Sequence, residues 1–345
     1  MGAAQRGKDY PGSYAELRAW FPDDIACLDY LDWLRWGRTG FLCPHCGDNR
    51  SWRLPDGRRS CGGCSRRVSA TAGTIFHRTR TPLTVWFVAA WHVTSQKGGV
   101  SALGLQRVLG IGSYQTAWTM LHRYRTAMVR PGRDRLRGSV EVDETMVGGV
   151  KPGKRGRGAL GKTYVAVAVE QFRPRGFGRC RLAVIPNAQG TSLRQFLLDN
   201  VEPGSTVLTD AHSGYSAATM AGYTHVPYNI AGSGVKAHIV LPGVHRVASL
   251  AKRWLLGTHQ GAVEADHLQA YLDEFAFRFN RRNSRARGML FFRLLEQAVG
   301  APPVTYRDLV VSGRPKRVHP SPPSARRVAP GTIAIPAASH PWRTP

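Results

Sequence analysis

Ser139-Val140-Glu141-Val142-Asp143-Glu144-Thr145-Met146-Val147 is where the periodicity of this chain changes. Upstream, apolar residues recur at helical spacing; from here they alternate. Val140 and Val142 share one face of a strand, which puts Asp143 on the other. Two further alternating runs follow. In Thr163–Glu170, Tyr164 alternates against Val165, Val167 and Val169; in Arg179–Ile185 the pattern is carried by Cys180, Leu182 and Val184. Thr191–Asn200 reads as a helix, and Thr206-Val207-Leu208 as a short strand leading to Asp210. Three strands, a helix and a further strand make an α/β arrangement. Residues 244–257 and 264–282 read as helices again, the second with Leu268, Tyr271, Leu272, Phe275 and Phe279 at core spacing.

Upstream of the strands, residues 82–129 read as helical. Pro82 suits a first helical turn. Ser101–Leu109, a Gly110-Ile111-Gly112 turn and Ser113–Met128 follow. In the last of these, Ala117, Met120, Leu121, Tyr124 and Met128 form one apolar stripe. A helix, a short glycine turn and a longer helix bearing Arg123, Arg125 and Arg130 fit a helix-turn-helix, or equally a helical hairpin with a solvated basic face. Further back, residues 14–36 read as two short helices broken at Pro22 and restarted by Asp23-Asp24, residue types that suit a helix N-terminus.

Between these regions stand Cys43-Pro44-His45-Cys46 and Cys61-Gly62-Gly63-Cys64. Each pair sets two thiolates on one side of a tight knuckle. Two facing knuckles make a tetrahedral sulfur cage, which fits zinc. His45 and His77 flank this ribbon but are superfluous once four thiolates are available. Cys27 and Cys180 are left over, a cysteine usage that indicates a reducing compartment.

The 345 residues carry 48 Lys+Arg against 22 Asp+Glu, a net charge of +26. Such a surplus repels itself unless a polyanion neutralises it, so nucleic acid is the first partner to expect. A genome rich in arginine codons would explain arginine over lysine but not the shortage of acids. The longest apolar run, Val85–Val93, is interrupted by His92 and is far shorter than a membrane span. The N-terminus has no signal-peptide apolar core. A soluble cytoplasmic protein, of a bacterial nucleoid and without membrane contact, is therefore expected.

Asp143 and Asp210 stand where a metal site would need them. Either one alone is an ordinary turn former at a strand end. Together, on neighbouring strands, they can share divalent cations. Magnesium takes oxygen ligands, usually one or two carboxylates with phosphate and water, and two such ions clamp the attacking and leaving oxygens of a phosphodiester.

The whole ordered series resembles the ISXO-like insertion-sequence transposases, a zinc-ribbon group of the DDE superfamily. The resemblance rests on the zinc ribbon, the helix-turn-helix, Val-Asp-Glu-Thr-x-x-Gly-Gly at 142–149, and Thr-Asp-x-x-x-Gly-Tyr at 209–215. It continues through Leu-Ala-Lys-Arg at 250–253 and Tyr-Leu-Asp-Glu-Phe-x-Phe-Arg-Phe-Asn-Arg-Arg at 271–282, and covers about residues 14–297. It implies an RNase H-like catalytic core. It also implies Mg2+- or Mn2+-dependent cleavage and strand transfer on double-stranded DNA, at transposon inverted repeats and target DNA, by a homo-oligomer. Asp143 and Asp210 match the first two catalytic acids. At the third place the family's segment reads like Asn-Thr-Ile-Glu-Gly-Phe-Trp-Ser-Leu-Leu-Lys-Arg, with Glu, Asn or sometimes His at the catalytic position. Alignment on Ser249–Arg253 puts His245 at the glutamate, with Pro242 for Asn and Ala248 for Trp. Lys252 follows His245 by two helical turns, on the same face, placed to hold a DNA phosphate. Imidazole suits manganese, iron or zinc better than magnesium. The alternative is a decayed copy that binds DNA as a repressor; Glu264 and Glu296 are the other candidate acids.

The expected organisation is a helical lead-in and zinc ribbon at 1–80, a helix-turn-helix region at 81–137, a catalytic domain at 138–297 and a disordered basic tail at 298–345. Lys151, Lys154, Arg155, Arg157 and Lys162 are expected to form a glycine-rich hairpin loop that follows a phosphate backbone. Arg278, Asn280, Arg281 and Arg282 contact DNA or cap the last core helix.

Overall fold

The computed structural model describes residues 4–37, 39–148, 162–172, 176–229, 234–261 and 263–312. These fall into two compact units, one drawn from Met1–Ser95 and Arg285–Asp308, the other from Gln96–Ser284 with the described residues from Leu309. Of the basic hairpin loop only Lys162 is described; Lys151, Lys154, Arg155 and Arg157, like residues 313–345 of the expected tail, lie outside the described residues.

The first unit contains helices α1 (Tyr14–Trp20) and α2 (Asp24–Trp36), the antiparallel ribbon β1 (Ser51–Arg53), β2 (Arg59–Cys61) and β3 (Arg67–Val68), and helix α3 (Leu83–Ser95). Asp23 caps α2 by accepting the Ala26 N–H at 2.8 Å, as its residue type predicts. The core is aromatic: Phe21 packs edge to face with Tyr30 and Phe87, and Phe291 from a further helix, α10 (Arg287–Ala298), packs edge to face on Phe87 and stacks on Tyr30. That helix packs on α2 and α3, because Phe291, Phe292, Leu294 and Leu295 give it an apolar face of its own.

The second unit contains α4 (Ala102–Leu109), α5 (Tyr114–Ala127), β4 (Ser139–Val147), β5 (Thr163–Gln171), β6 (Phe177–Ile185), α6 (Gly190–Asn200), β7 (Thr206–Asp210) and β8 (Thr224–Tyr228). The short α7 (Ala237–Val240), then α8 (Pro242–His259) and α9 (Ala265–Phe279), follow. The five strands form one sheet of order β6-β5-β4-β7-β8. β4 pairs antiparallel with β5 and parallel with β7, and β8 is parallel to β7. Alternation along β5 divides the core. Val165, Val167 and Val169 pack under α8 and α9, while Ala166 and Ala168 lie with Val140, Val142 and Val207 under α6. Each of those fully buried valines contributes about 1.5–3 kcal/mol.

Two expectations are corrected, and a third, that the residues closing α9 cap it, is met by Arg281 and Arg282 donating to the carbonyls of Phe277 and Phe279. Arg125 is not on a basic face of α5: it is 2% exposed, ion-paired to Glu274 of α9 at 2.8 Å and stacked 4.0 Å from the centre of the Tyr271 ring. A guanidinium with a buried carboxylate partner has no charge left over for phosphate. The residues that close α9 also tie the sheet down. Asn280 donates to and accepts from the backbone of Cys180, at 3.1 and 2.7 Å, as a neighbouring strand would, and Arg282 donates to the carbonyls of Phe177, Gly178 and Phe279. Finally, the tail does not begin at 298. Helix α11 (Tyr306–Ser312) follows Thr305, whose hydroxyl accepts the Asp308 N–H at 3.2 Å while Asp308 accepts the Thr305 N–H at 2.8 Å, a reciprocal capping box. Val299, Ala301, Val304 and Leu309 are buried.

Candidate metal centre and active site

Cys43 and Cys46 lie on one knuckle, Cys61 and Cys64 on the other. Each knuckle closes with a backbone hydrogen bond to its first cysteine, from Gly47 at 2.9 Å and from Ser65 at 3.0 Å. Gly47 and Ser65 both have left-handed φ, +76° and +56°, so the two turns share one conformation despite different residues. The knuckles bring Cys43 Sγ to 3.7 Å from Cys64 Sγ and Cys46 Sγ to 3.5 Å from Cys61 Sγ, with all four sulfurs within 4.8 Å of one another. Four sulfurs at about 2.3 Å from one tetrahedral zinc lie roughly 3.8 Å apart, so the cage fits zinc. His45 and His77 are engaged elsewhere, with Arg66 and with the Gly73 N–H. Ion pairs from Arg59 to Asp32 and from Arg53 to Asp29 fasten the ribbon to α2.

The second site lies in the sheet. The chain adds β5 and β6 on one side of β4, then returns to add β7 and β8 on the other. The gap beyond the carboxyl ends of β4 and β7 is therefore the switch point of the topology, where ligands of open α/β sheets bind. β4 and β7 pair Ser139 with Thr206 through Glu141 with Leu208. Continued two residues, that register sets Asp143 level with Asp210. Both have the parity of Glu141 and Leu208, so both belong to the face covered by α8.

Helix α8 brings His245 over β4. Its Nε2 is 3.8 Å from Asp143 Oδ2, too far for a hydrogen bond. Neighbouring ligands about 2.1 Å from one octahedral ion lie roughly 3.0 Å apart, so a shared cation would draw these two groups somewhat closer together. Burial, with the neighbouring His238 and Lys252, holds the imidazole below its ordinary value and favours the neutral, ligating form; Asp210 opposes this. A small open cleft is lined by Asp143, Glu144, Thr145, Val167, Val244, His245 and Ala248. Asp210 and Lys252 are not among its walls. Lys252 nevertheless feels the charge of Asp143, and partial desolvation together with Lys162 lowers its ammonium pKa. Glu264 is exposed just before α9, and Glu296 pairs with Arg293 at 2.7 Å; neither lines the cleft.

Two acids outside the sequence-derived set also shape this region. Glu144, on the α6 face, accepts the Tyr215 hydroxyl at 3.0 Å, and Asp210 accepts the His212 N–H at 3.3 Å. The Asp-Glu-Thr and Asp-x-x-x-Gly-Tyr stretches are thus joined. Glu141 is fully buried, and burial raises its pKa against the opposing effect of the backbone N–H groups it accepts. Its signal in the sequence is parity: an acid on the same strand face as Asp143, well inside the strand.

The family model of the ISXO2-like transposase domain matches residues 135–280, and that of the transposase zinc-ribbon domain matches residues 22–67. The chain thus carries a match to a transposase zinc-ribbon domain followed by a match to an ISXO2-like transposase domain. The matched bounds have physical counterparts here. The ribbon match includes α2, to which the ribbon is ion-paired, and the transposase match ends at Asn280, which closes the sheet on Cys180. The chain is also 28% identical, over 278 residues, to a Halobacterium salinarum protein described as an uncharacterized protein in transposable element ISH50; the match covers 75% of this chain and 91% of that protein. Among the described residues no helix is long and apolar enough to cross a membrane.

Proposed function

We propose that this transposase cleaves and joins DNA strands at the ends of an insertion sequence, with Asp143, Asp210 and His245 holding divalent metal at the mouth of an RNase H-like sheet. The observation that supports the reading is His245 Nε2 3.8 Å from Asp143 Oδ2 at the switch point, with Asp143 and Asp210 each two residues beyond the last paired position of β4 and β7. Magnesium or manganese there supplies Lewis-acid charge to the phosphodiester and lowers the pKa of the attacking hydroxyl or water. The protein's own groups divide the remaining work. Asp143 and Asp210 concentrate negative charge that would otherwise repel the DNA. Lys252, on the same face of α8 as His245, receives a phosphate oxygen. In the first displacement a water oxygen bonds to phosphorus as the P–O3′ bond breaks, which leaves a 3′ hydroxyl. In the second, the oxygen of that hydroxyl bonds to a target phosphorus as the target's own P–O3′ bond breaks, and the displaced target strand leaves with a 3′ hydroxyl. No covalent protein–DNA intermediate is needed.

DNA is held by the ribbon and by α4 and α5 acting as a helix-turn-helix. Gly110 ends α4 in a left-handed conformation, φ +62°, and exposed Arg107, Tyr114 and Gln115 surround the turn. The first residues of a recognition helix are those that reach base edges. With several Lys/Arg–phosphate contacts, log affinity should fall against log salt by about 0.9 per phosphate neutralised. Filter or fluorescence binding from 50 to 300 mM salt checks this; an affinity that hardly changes removes the electrostatic basis of the reading.

The deciding experiment incubates the purified protein with DNA carrying the element's terminal repeats and either Mg2+ or Mn2+. Nicking at the repeat ends is expected. Tight binding with no nicking under either metal favours a second reading, a repressor descended from a transposase. One observation bears on that reading: a histidine stands where the quoted family segment has glutamate, a place that also takes asparagine or, at times, histidine.

A further inference from the structure

We infer that Glu141 is the positioning residue that sets helix α8, and through it His245, against the two carboxylates. The inference rests on the reading of Asp143, Asp210 and His245 as a metal site. Helix α8 starts at Pro242 with Leu241 in the N-cap place and no capping side chain of its own. The first N–H groups of a helix need partners, and its N-terminus favours an anion. Both needs are met from the sheet. Glu141 Oε2 accepts the Val244 N–H at 2.8 Å, and Gln171 Nε2, from the neighbouring strand β5, donates to Oε1. The approach is close enough to require glycine at the preceding position, since a Cβ on Gly243 would lie 2.8 Å from the same Oε2 and 3.1 Å from the Phe177 ring.

The consequence is a two-rung ladder between β4 and α8. Glu141 bonds Val244 at one rung. Asp143, two residues along the same strand face, meets His245, one residue along the helix, at the other. Strand and helix are rigid over these spans, so fixing the first rung fixes the second. Val244 itself is 1% exposed and packed in the core, so the helix cannot rotate to compensate. Glu141 has no access to DNA and acts only through α8 and His245.

The test measures Mn2+ binding by calorimetry on the full-length zinc-loaded protein, at a temperature where circular dichroism shows each variant folded. Glu141→Ala is expected to bind Mn2+ at least about tenfold more weakly, the usual cost of losing a group that orients a ligand. Its zinc content and DNA affinity should not change. Glu141→Gln keeps an acceptor for the Val244 N–H and should recover to within about fivefold of wild type, since a neutral acceptor makes a weaker hydrogen bond than a charged one but still makes it. Gly243→Ala, which favours the helix but pushes on the carboxylate, should weaken binding with Glu141 intact, and serves if Glu141→Ala does not fold. Wild-type Mn2+ affinity in Glu141→Ala or Gly243→Ala overturns the inference, as does a Glu141→Gln variant no better than Glu141→Ala. Mn2+ binding by wild type that is lost in Asp143→Ala shows that the site itself stands. A wild type that binds no Mn2+ overturns the metal-site reading and this inference with it.

Discussion

Asp143→Ala and Asp210→Ala should each lower metal-dependent cleavage of end-sequence DNA by about three orders of magnitude or more. Each carboxylate supplies both a ligand and the charge that retains the ion, and a metal contributes several kcal/mol to the transition state, at about 1.4 kcal/mol per tenfold in rate. Binding to the same DNA should stay within about twofold of wild type, because both groups act on the ion and not on base edges. Deletion of a negative charge beside the phosphate path can even tighten it. His245 gives the sharper outcome. Its Nε2 stands 3.8 Å from Asp143 Oδ2 on a half-buried side chain held toward the neutral form. His245→Ala should lose most activity, and wild type should work better with Mn2+, which tolerates imidazole, than with Mg2+. His245→Glu restores an oxygen ligand and should retain or raise cleavage with Mg2+. A wild type inert with both metals and revived by His245→Glu would mean a decayed enzyme, and the repressor reading would replace this one. Cleavage by His245→Ala at the wild-type rate would mean that the third group lies elsewhere, with exposed Glu264 first to be tested.

The parts of this site that were legible in the sequence are those set by local rules. The change to period two at Val140 fixes which face Asp143 occupies, and the two Cys-x-x-Cys knuckles fix the sulfur cage. Pairing is another matter. That β7 returns to lie parallel to β4, so that Asp143 and Asp210 come level, depends on a crossover through α6 that no spacing reveals. The same limit explains Arg125. Its position on α5 reads as part of a basic face, but its partner Glu274 is 149 residues away, and only the packing of α5 on α9 makes it a buried ion pair. Glu141 was readable by parity as a neighbour of Asp143, yet its function depends on a helix that begins 101 residues later. The capping box at Thr305–Asp308 was, by contrast, a local signal. Its place beside a proline-rich basic tail masked a short helix whose apolar residues, Val304 and Leu309, are buried.

Cys61→Ser should release about one equivalent of zinc and unfold the ribbon while the rest of the chain stays folded. Structural zinc in such modules is worth about 10–16 kcal/mol of apparent binding free energy, far more than a three-strand ribbon can supply by packing. β1, β2 and β3 hold only three, three and two residues, and Trp52 at the ribbon edge is exposed. The structure sharpens where unfolding should stop. The expected module runs over residues 41–80, but Ala70, Ile75 and Phe76 are fully buried, and Phe76 packs edge to face on Trp86 of α3, 5.2 Å between ring centres. Residues 69–80 therefore belong to the helical core and should survive loss of the metal. Limited proteolysis of Cys61→Ser, or of wild type after chelation, should cut within residues 41–68 and spare the segment from Ser69 to Arg80. The ion pairs of Arg59 with Asp32 and Arg53 with Asp29 should break at the same time, leaving Asp32, a buried residue of α2, without that partner. Some loss of helical stability in the first unit should accompany the unfolding, seen as a lower melting temperature. A purified protein that contains no zinc and resists proteolysis across 41–68 would show that the ribbon does not depend on metal.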